Sequence, residues 1–188
     1  QPELLTPRLR LRPFTLADAD RVQQLAGRRE IAEGCVLIPH PYPPGLAARW
    51  IESQAENWQT QQAASYAITV LNSGLLLGSI SLLLSEQRQA DRSIAWTGNL
   101  GYWLAPEYWG QGLIPEAVRE VMRHAFETLE LDALWCGYFE NNEQSHRAQA
   151  KCGFRHHHTE ENKFNQFLND YRTEHISRIT REEWLAQQ

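Results

Sequence analysis

Two glycines one residue apart, in Tyr108-Trp109-Gly110-Gln111-Gly112-Leu113-Ile114-Pro115-Glu116-Ala117, are the residues of this chain best placed to do chemistry. They follow an apolar stretch with strand character, Leu100 to Leu104, and precede one that opens a helix. Such a turn leaves backbone N–H groups unpaired and aims them at one point, where the positive end of the helix dipole adds to them. The chemistry this suits is binding of a phosphate or pyrophosphate. Two glycines standing alone are more often an ordinary turn, so the downstream residues have to decide between the two. Beyond the helix come a candidate strand, Ala133 to Phe139, and then Asn141-Asn142-Glu143-Gln144-Ser145-His146-Arg147-Ala148-Gln149-Ala150-Lys151-Cys152-Gly153-Phe154.

Taken in order, Pro106-Glu107-Tyr108-Trp109-Gly110-Gln111-Gly112, Glu116-Ala117, Asn142-x-x-Ser145 and Lys151-x-Gly153-Phe154 resemble the core of the GNAT superfamily of acyl-CoA-dependent N-acyltransferases. The Trp-Gly-x-Gly form with Asn-x-x-Ser is most similar to the branch that acetylates N-terminal amines of ribosomal proteins. The likeness covers most of the chain. It includes the opening Leu5-Thr6-Pro7-Arg8-Leu9-Arg10-Leu11-Arg12-Pro13-Phe14 and an ending from Asp170-Tyr171 through Ile176 to Arg181-Glu182-Glu183-Trp184. It implies a single α/β domain over residues 1–188, with a central mixed, mostly antiparallel twisted sheet flanked by helices. It also implies acetyl-CoA as cosubstrate, no metal, and an amine acceptor. That acceptor is a protein N-terminus or a small amine such as a polyamine or aminoglycoside. A homodimer stays open.

Carried onto this chain, the resemblance puts the pyrophosphate on the amides of Trp109, Gly110, Gln111, Gly112, Leu113 and Ile114. The pantetheine arm would pair like an added strand with Tyr102, Trp103 and Leu104, using main-chain groups. The N–H near Leu104 would donate to the thioester oxygen. Asn142 would contact the cofactor while also suiting an N-cap. Many relatives have a tyrosine that falls at Gln149 here, and an amide cannot act as an acid. Ser145 is left as the group for the departing thiolate, which with a thiol pKa near ~8.5 needs only a good hydrogen bond. Two further departures concern the glycine turn: an inward-pointing Ile114 would crowd the cofactor, and Pro115 suits a first helical turn but removes a donor. Gln149 and Ile114 together keep a non-catalytic CoA-binding module open as an alternative. No base stands out. Glu174, His175 and Asn99 are the candidates, and an α-amine acceptor of pKa near ~8 requires less help than a lysine near ~10.4.

These residues need a scaffold, and the rest of the sequence outlines one. Leu9 and Leu11 alternate with Arg8, Arg10 and Arg12, a period-two strand pattern. Thr15, with Asp18 three residues on, predicts a helix start running through Leu25. Four prolines between Cys35 and Gly45 predict a stiff irregular loop, and Leu46 to Gln62 a second helix. Tyr66–Leu71 and Leu75–Leu84 predict a hairpin over Asn72-Ser73-Gly74, Glu86 to Arg92 a loop, and Ile94 to Leu104 a strand. The helix from Leu113 would bury Val118, Val121, Met122, Ala125, Phe126 and Leu129. Strands near Phe154–His158 and Tyr171–Ile179 would close the sheet. The acceptor amine would enter over Cys35 to Gly45 and the second helix, with Trp50 and Trp58 lining its pocket.

A length of 188 residues suits one full core. A 42% hydrophobic and 22% charged composition is that of an ordinary globular protein, with no apolar run long enough to span a membrane. The start carries no signal-peptide pattern. Three cysteines, Cys35, Cys136 and Cys152, with no C-x-x-C spacing, fit a reducing cytoplasm. The net charge of −5 and the lack of a basic stripe argue against nucleic acid as the main ligand. Three decoys fall away. His156-His157-His158 would alternate faces on a strand, so no three converge on zinc. Asp132 lies about 20 residues after Gly112, as in a dinucleotide fold, but the third glycine is missing and Asp132 would precede its strand. Gly110 to Gly112 also lacks the Lys-Ser/Thr of a nucleotide P-loop.

Overall fold

The structure, a computed structural model, describes residues 1–89, 91–165 and 167–188. The leucine–arginine alternation forms β1 (Leu4–Leu5) and β2 (Leu9–Pro13), paired antiparallel with Leu9 and Leu11 buried and Arg10 exposed. Thr15 and Asp18 open the next helical stretch as their spacing predicts: the Asp18 carboxylate accepts the Thr15 N–H at 2.9 Å and forks onto Arg12 at 2.7 and 2.8 Å. A 3₁₀ turn over Leu16–Asp18 leads into α1 (Ala19–Ala26). A short α2 (Arg29–Gly34) lies where the sequence pattern predicts no element. The next helix, α3 (Leu46–Gln59), stops before the expected Gln62 because Gln61 turns left-handed, at φ 54°.

The hairpin of β3 (Ala63–Val70) and β4 (Leu76–Arg88) turns over Asn72-Ser73-Gly74, where Gly74 takes φ 69°. Glu86 to Arg88, expected in a loop, extend β4 by pairing with Trp96, Ala95 and Ile94 of β5 (Ile94–Leu104). Ladder bonds are made by the main chain, so polar side chains on an exposed stretch do not forbid them. Next in the chain come α4 (Leu113–Glu127), β6 (Ala133–Phe139), α5 (Glu143–Lys151), β7 (Arg155–Asn165), β8 (Asp170–Thr180) and α6 (Arg181–Leu185). Both closing strands are longer than the sequence pattern predicts, β7 by seven residues past His158.

One eight-stranded sheet results, ordered β1-β2-β3-β4-β5-β6-β8-β7. Every neighbouring pair is antiparallel except β5 and β6. Successive strand residues point to opposite faces, and each face has its own core. Tyr66, Ile68, Leu82, Leu100 and Leu134 pack with Val118, Val121, Met122 and Phe126 of α4. On the opposite face Ala67 and Leu76 pack with Val22 and Leu25 of α1 and Ile51 of α3.

Glu116, in the first turn of α4, ties that helix to the sheet's first strands. Its carboxylate accepts from Thr6 Oγ1 at 2.6 Å, from the Arg8 N–H at 2.9 Å and from Arg8 Nε at 2.6 Å. Partial burial opposes its charge, but these donors win and hold its pKa below the usual carboxylate value. Losing a hydrogen-bonded charge of this kind costs about 1–3 kcal/mol. Glu116→Ala should therefore lower unfolding stability by about that amount in urea at neutral pH. A depressed carboxylate contributes stability that is present above its unfolded pKa and lost as pH falls through the folded one. The gap between wild type and variant should accordingly close in acid.

Candidate acyl-transfer site

The strands β5 and β6 run side by side only briefly. Their register covers Thr97 with Ala133, Gly98 with Leu134 and Asn99 with Trp135, and then pairing ceases. Toward Leu104 and Phe139 a wedge-shaped gap opens within the sheet. Asp132, which is no nucleotide ligand, clasps the paired end: its carboxylate accepts the Trp96 N–H and its own N–H donates to the Trp96 carbonyl, both at 2.7 Å.

Which groups face the gap is set by the antiparallel ladder. The Ala105 N–H donates to Leu77 O at 2.9 Å, so odd-numbered β5 residues bond to β4 and even-numbered ones turn away. Tyr102 and Leu104 thus present main-chain groups to the gap. Trp103, expected with them, directs its main chain to Ser79 of β4 and its side chain into the α1–α3 core. Two of the exposed carbonyls are covered. Leu104 O accepts the Trp109 indole N–H at 2.6 Å, and Tyr102 O lies 3.8 Å from the Cys35 thiol. Desolvation pushes that thiol up to about 12, so Cys35 stays protonated and serves as a weak donor.

At the end of the gap lies the glycine turn. Gly110 and Gly112 adopt φ 74° and 75°, the left-handed region in which a Cβ is penalised. The Trp109 N–H, expected among the phosphate donors, is bonded to Pro106 O at 3.1 Å within a 3₁₀ turn. Among the described residues, the N–H groups of Gly110, Gln111, Gly112, Leu113 and Ile114 have no acceptor in the chain. Pro115 has none to offer. Ile114 does not crowd this concavity, because its half-buried side chain packs against the main core. Arg8, which no sequence motif singles out, adds positive charge here: its Nη1 donates to Gln111 O at 3.0 Å, and its Nη2 lies 3.7 Å from where a Cβ on Gly112 would stand. In sequence Arg8 is one of three alternating arginines, and nothing local distinguishes it from Arg10.

The wall of the gap carries hydroxyls. Asn142 caps α5 by accepting the Ser145 N–H at 3.1 Å, which orients the first turn and with it the Ser145 side chain. Ser145 Oγ lies 2.9 Å from the Tyr102 phenol and 3.2 Å from Gln149 Nε2, whose amide also donates to Gly137 O at 3.1 Å. Burial drives the Tyr102 phenol far above its ordinary pKa, so it holds its proton.

The remaining candidates scatter. Glu174 is buried, ion-paired with Lys163, and packed so closely over Gly137 that a Cβ there would meet it at 2.1 Å. His175 packs on Tyr138 at 5.1 Å between ring centres and shares Thr159 with His156. Asn99 is exposed. Trp50 packs against the same core as Ile38 and Tyr42 of the proline loop, whereas Trp58 packs against the opposite core. A register shift at His157 breaks the expected alternation and brings the Nδ1 atoms of His157 and His158 to 2.9 Å. Among the described residues no group of three or more metal-ligating side chains converges.

The glycine turn can be tested without any ligand. Gly110 has open space where a Cβ would go, so Gly110→Ala should reveal backbone strain alone, about 1–2 kcal/mol in a urea melt.

Comparison with known proteins places this geometry. The acetyltransferase (GNAT) domain model matches residues 8–155. A candidate ribosomal N-acetyltransferase of Bacillus subtilis strain 168, YdaF, is 33% identical over 141 residues, covering 73% of this chain and 72% of YdaF. Among solved structures, the ribosomal-protein-S5-alanine acetyltransferase of Vibrio fischeri superposes with a TM-score of 0.79 at 18% identity, over 98% of this chain and 99% of that one. Spermidine N-acetyltransferase of Vibrio cholerae, solved with CoA and spermine, does so with 0.76 at 16%, over 96% and 99%. The same fold thus serves proteins named for different acceptors. Because the family match runs through the glycine turn, the gap and Ser145, the chain belongs to the GNAT family of acetyl-CoA-dependent acetyltransferases.

Proposed function

We propose that this enzyme transfers the acetyl group of acetyl-CoA directly to the N-terminal amine of a protein, within a ternary complex. The observation that carries the reading is the gap between β5 and β6, with unpaired main chain on one wall and a serine hydroxyl on the other. The diphosphate would rest on the free amides of Gly110 to Ile114, with the α4 dipole and Arg8 behind them. Pantetheine would add as a strand along Tyr102 and Leu104. The Leu104 N–H would then donate to the thioester oxygen as negative charge develops there. The amine nitrogen forms the new C–N bond while the C–S bond breaks with its electron pair on sulfur. Ser145 steadies that sulfur by a hydrogen bond, and the ammonium proton leaves to water. Asn142 acts through its cap, holding Ser145 in place.

The acceptor assignment is supported by the acid–base chemistry of the surroundings. No free carboxylate or imidazole adjoins the gap among the candidates: Glu174 is ion-paired and His175 is stacked and hydrogen-bonded. An α-amine, with pKa near ~8, has a useful neutral fraction without strong help, unlike a lysine near ~10.4. The likeness to YdaF, named as a candidate ribosomal N-acetyltransferase, favours a protein acceptor over a small amine.

Thiol release measured with peptides bearing a free α-amine, with α-blocked lysine peptides and with spermidine tests this directly. The free α-amine peptides should be preferred, and kcat/KM should rise with pH and level off near ~8, as the acceptor loses its proton. Preference for spermidine or for lysine side chains would refute the assignment. Ser145→Ala should lower kcat about 10–100-fold with the KM for acetyl-CoA unchanged. An unaltered kcat would remove Ser145 from the mechanism.

A further inference from the structure

We propose that Tyr102 and Gln149 are positioning residues that aim the Ser145 hydroxyl proton into the gap by both donating to its oxygen. The inference rests on the proposed acyl transfer, in which Ser145 hydrogen-bonds the departing sulfur. It assigns a role to the two side chains that the family pattern leaves unexplained: a glutamine where many relatives have tyrosine, and a tyrosine expected to contribute only its main chain.

Donor and acceptor counting fixes the direction of the Gln149 bond, and geometry favours that of the Tyr102 bond. Gln149 is 2% exposed, so its amide has no water to exchange with. Its Nε2 lies 3.1 Å from Gly137 O, which can only accept, so the amide cannot be flipped without setting two oxygens against each other. The amide nitrogen has two protons, one for Gly137 O and the other for Ser145 Oγ at 3.2 Å. Oε1 is left buried without a partner. Ser145 Oγ therefore accepts from Gln149.

The Tyr102 phenol meets the same oxygen at 2.9 Å. The other oxygen acceptor it meets, Ser145 O, lies farther off at 3.5 Å. Donation to Oγ is thus the use of its proton that geometry favours, and it fills the second lone pair of the serine oxygen. With both lone pairs engaged, the serine proton has no partner in this cluster and is directed outward. Were the Gln149 donor missing, the serine could turn its proton back to the Tyr102 phenol oxygen and be spent as a donor before any thiolate forms. Pre-orientation of a donor toward developing charge is what makes such a group effective.

Gln149 has a second consequence for the gap. Gly137 belongs to the odd-numbered residues of β6 that face β5, as the alternate even-numbered ones bond to β8. Its carbonyl would otherwise continue the parallel ladder to the Tyr102 N–H. By occupying that carbonyl, Gln149 keeps the Tyr102 N–H free for an incoming strand.

The test is a pair of double-mutant cycles on the intact chain. Tyr102→Phe and Gln149→Met are each made alone and in the Ser145→Ala background, and kcat and KM are measured with acetyl-CoA and a free α-amine peptide. Alone, each should lower kcat about 3–10-fold; the KM for acetyl-CoA should stay unchanged in Tyr102→Phe and rise in Gln149→Met, which releases Gly137 O to the Tyr102 N–H. In the Ser145→Ala background each should change kcat by less than about twofold, since its target oxygen is gone. Equal losses in both backgrounds would overturn the proposal, because a side chain that only supports packing acts whether or not Ser145 is present. Should Tyr102→Phe fail to fold, as judged by its thermal transition, the Gln149→Met cycle decides alone. Wild-type protein that binds CoA but turns over no amine would overturn the function itself and this inference with it. An active wild type with additive losses overturns only the inference.

Discussion

Interruption of one parallel ladder is the constraint on which the site depends. Main-chain N–H and C=O groups inside a sheet must be paired or solvated. The β5–β6 pairing stops after Asn99 and Trp135, so the next groups along both strands are left to other partners. The protein supplies some of these itself: the Trp109 indole for Leu104 O, the Cys35 thiol beside Tyr102 O, the Gln149 amide for Gly137 O. The groups left over include the N–H groups of Tyr102 and Leu104, the template for an extended ligand in the function proposed above. The proposed binding surface is a defect in secondary structure, bordered by side chains that satisfy part of it.

The elements around the gap explain why the defect is stable. Asp132 closes its paired end with two short bonds to Trp96, and the antiparallel β6–β8 pairing keeps β6 in line from Ala133 to Phe139. At the open end, α4 is fixed to the first strands by the Thr6–Arg8–Glu116 cluster, far from it in sequence. Arg28 pairs with Glu107 at 2.6 Å and Arg172 with the Glu33 carbonyl, so α2 is tied to both sides of the mouth. The N–H donors thus face a concavity whose rim is braced by an ion pair and a guanidinium–carbonyl hydrogen bond. The ion pair on that rim is exposed, and such contacts contribute little each. Their value here is positional.

The same arrangement clarifies how departures from a family pattern can be tolerated. Ile114 is a bulky residue beside the glycine turn, yet it turns into the core. Pro115 removes a donor in the first turn of α4, where N–H groups have no intrahelical acceptor, and five amides remain. Gln149 lacks a phenol, but one reaches the same oxygen from β5. Each substitution is absorbed by a neighbour in space.

Local order in the sequence determined much of this protein. Period-two leucines, the Thr15–Asp18 cap, the Asn72-Ser73-Gly74 turn and the glycine pair each encode a backbone conformation within a few residues. The strand and helix around the glycine turn were legible for that reason, as was the Asn142 cap. Less legible were elements shaped by partners: the polar ends of β4 and β7 pair because a neighbouring strand supplies a ladder, and α2 forms beneath no strong local signal. Only the tertiary structure decided that Tyr102 meets Ser145 across 43 residues and that Arg8 stands behind the glycine turn 103 residues on. It also decided that Trp109 caps a strand end, and that Trp58 faces the core opposite the proline loop. A hydrogen bond between distant residues depends on register and helix placement, and these are set by how the whole sheet packs. No spacing along the chain encodes them.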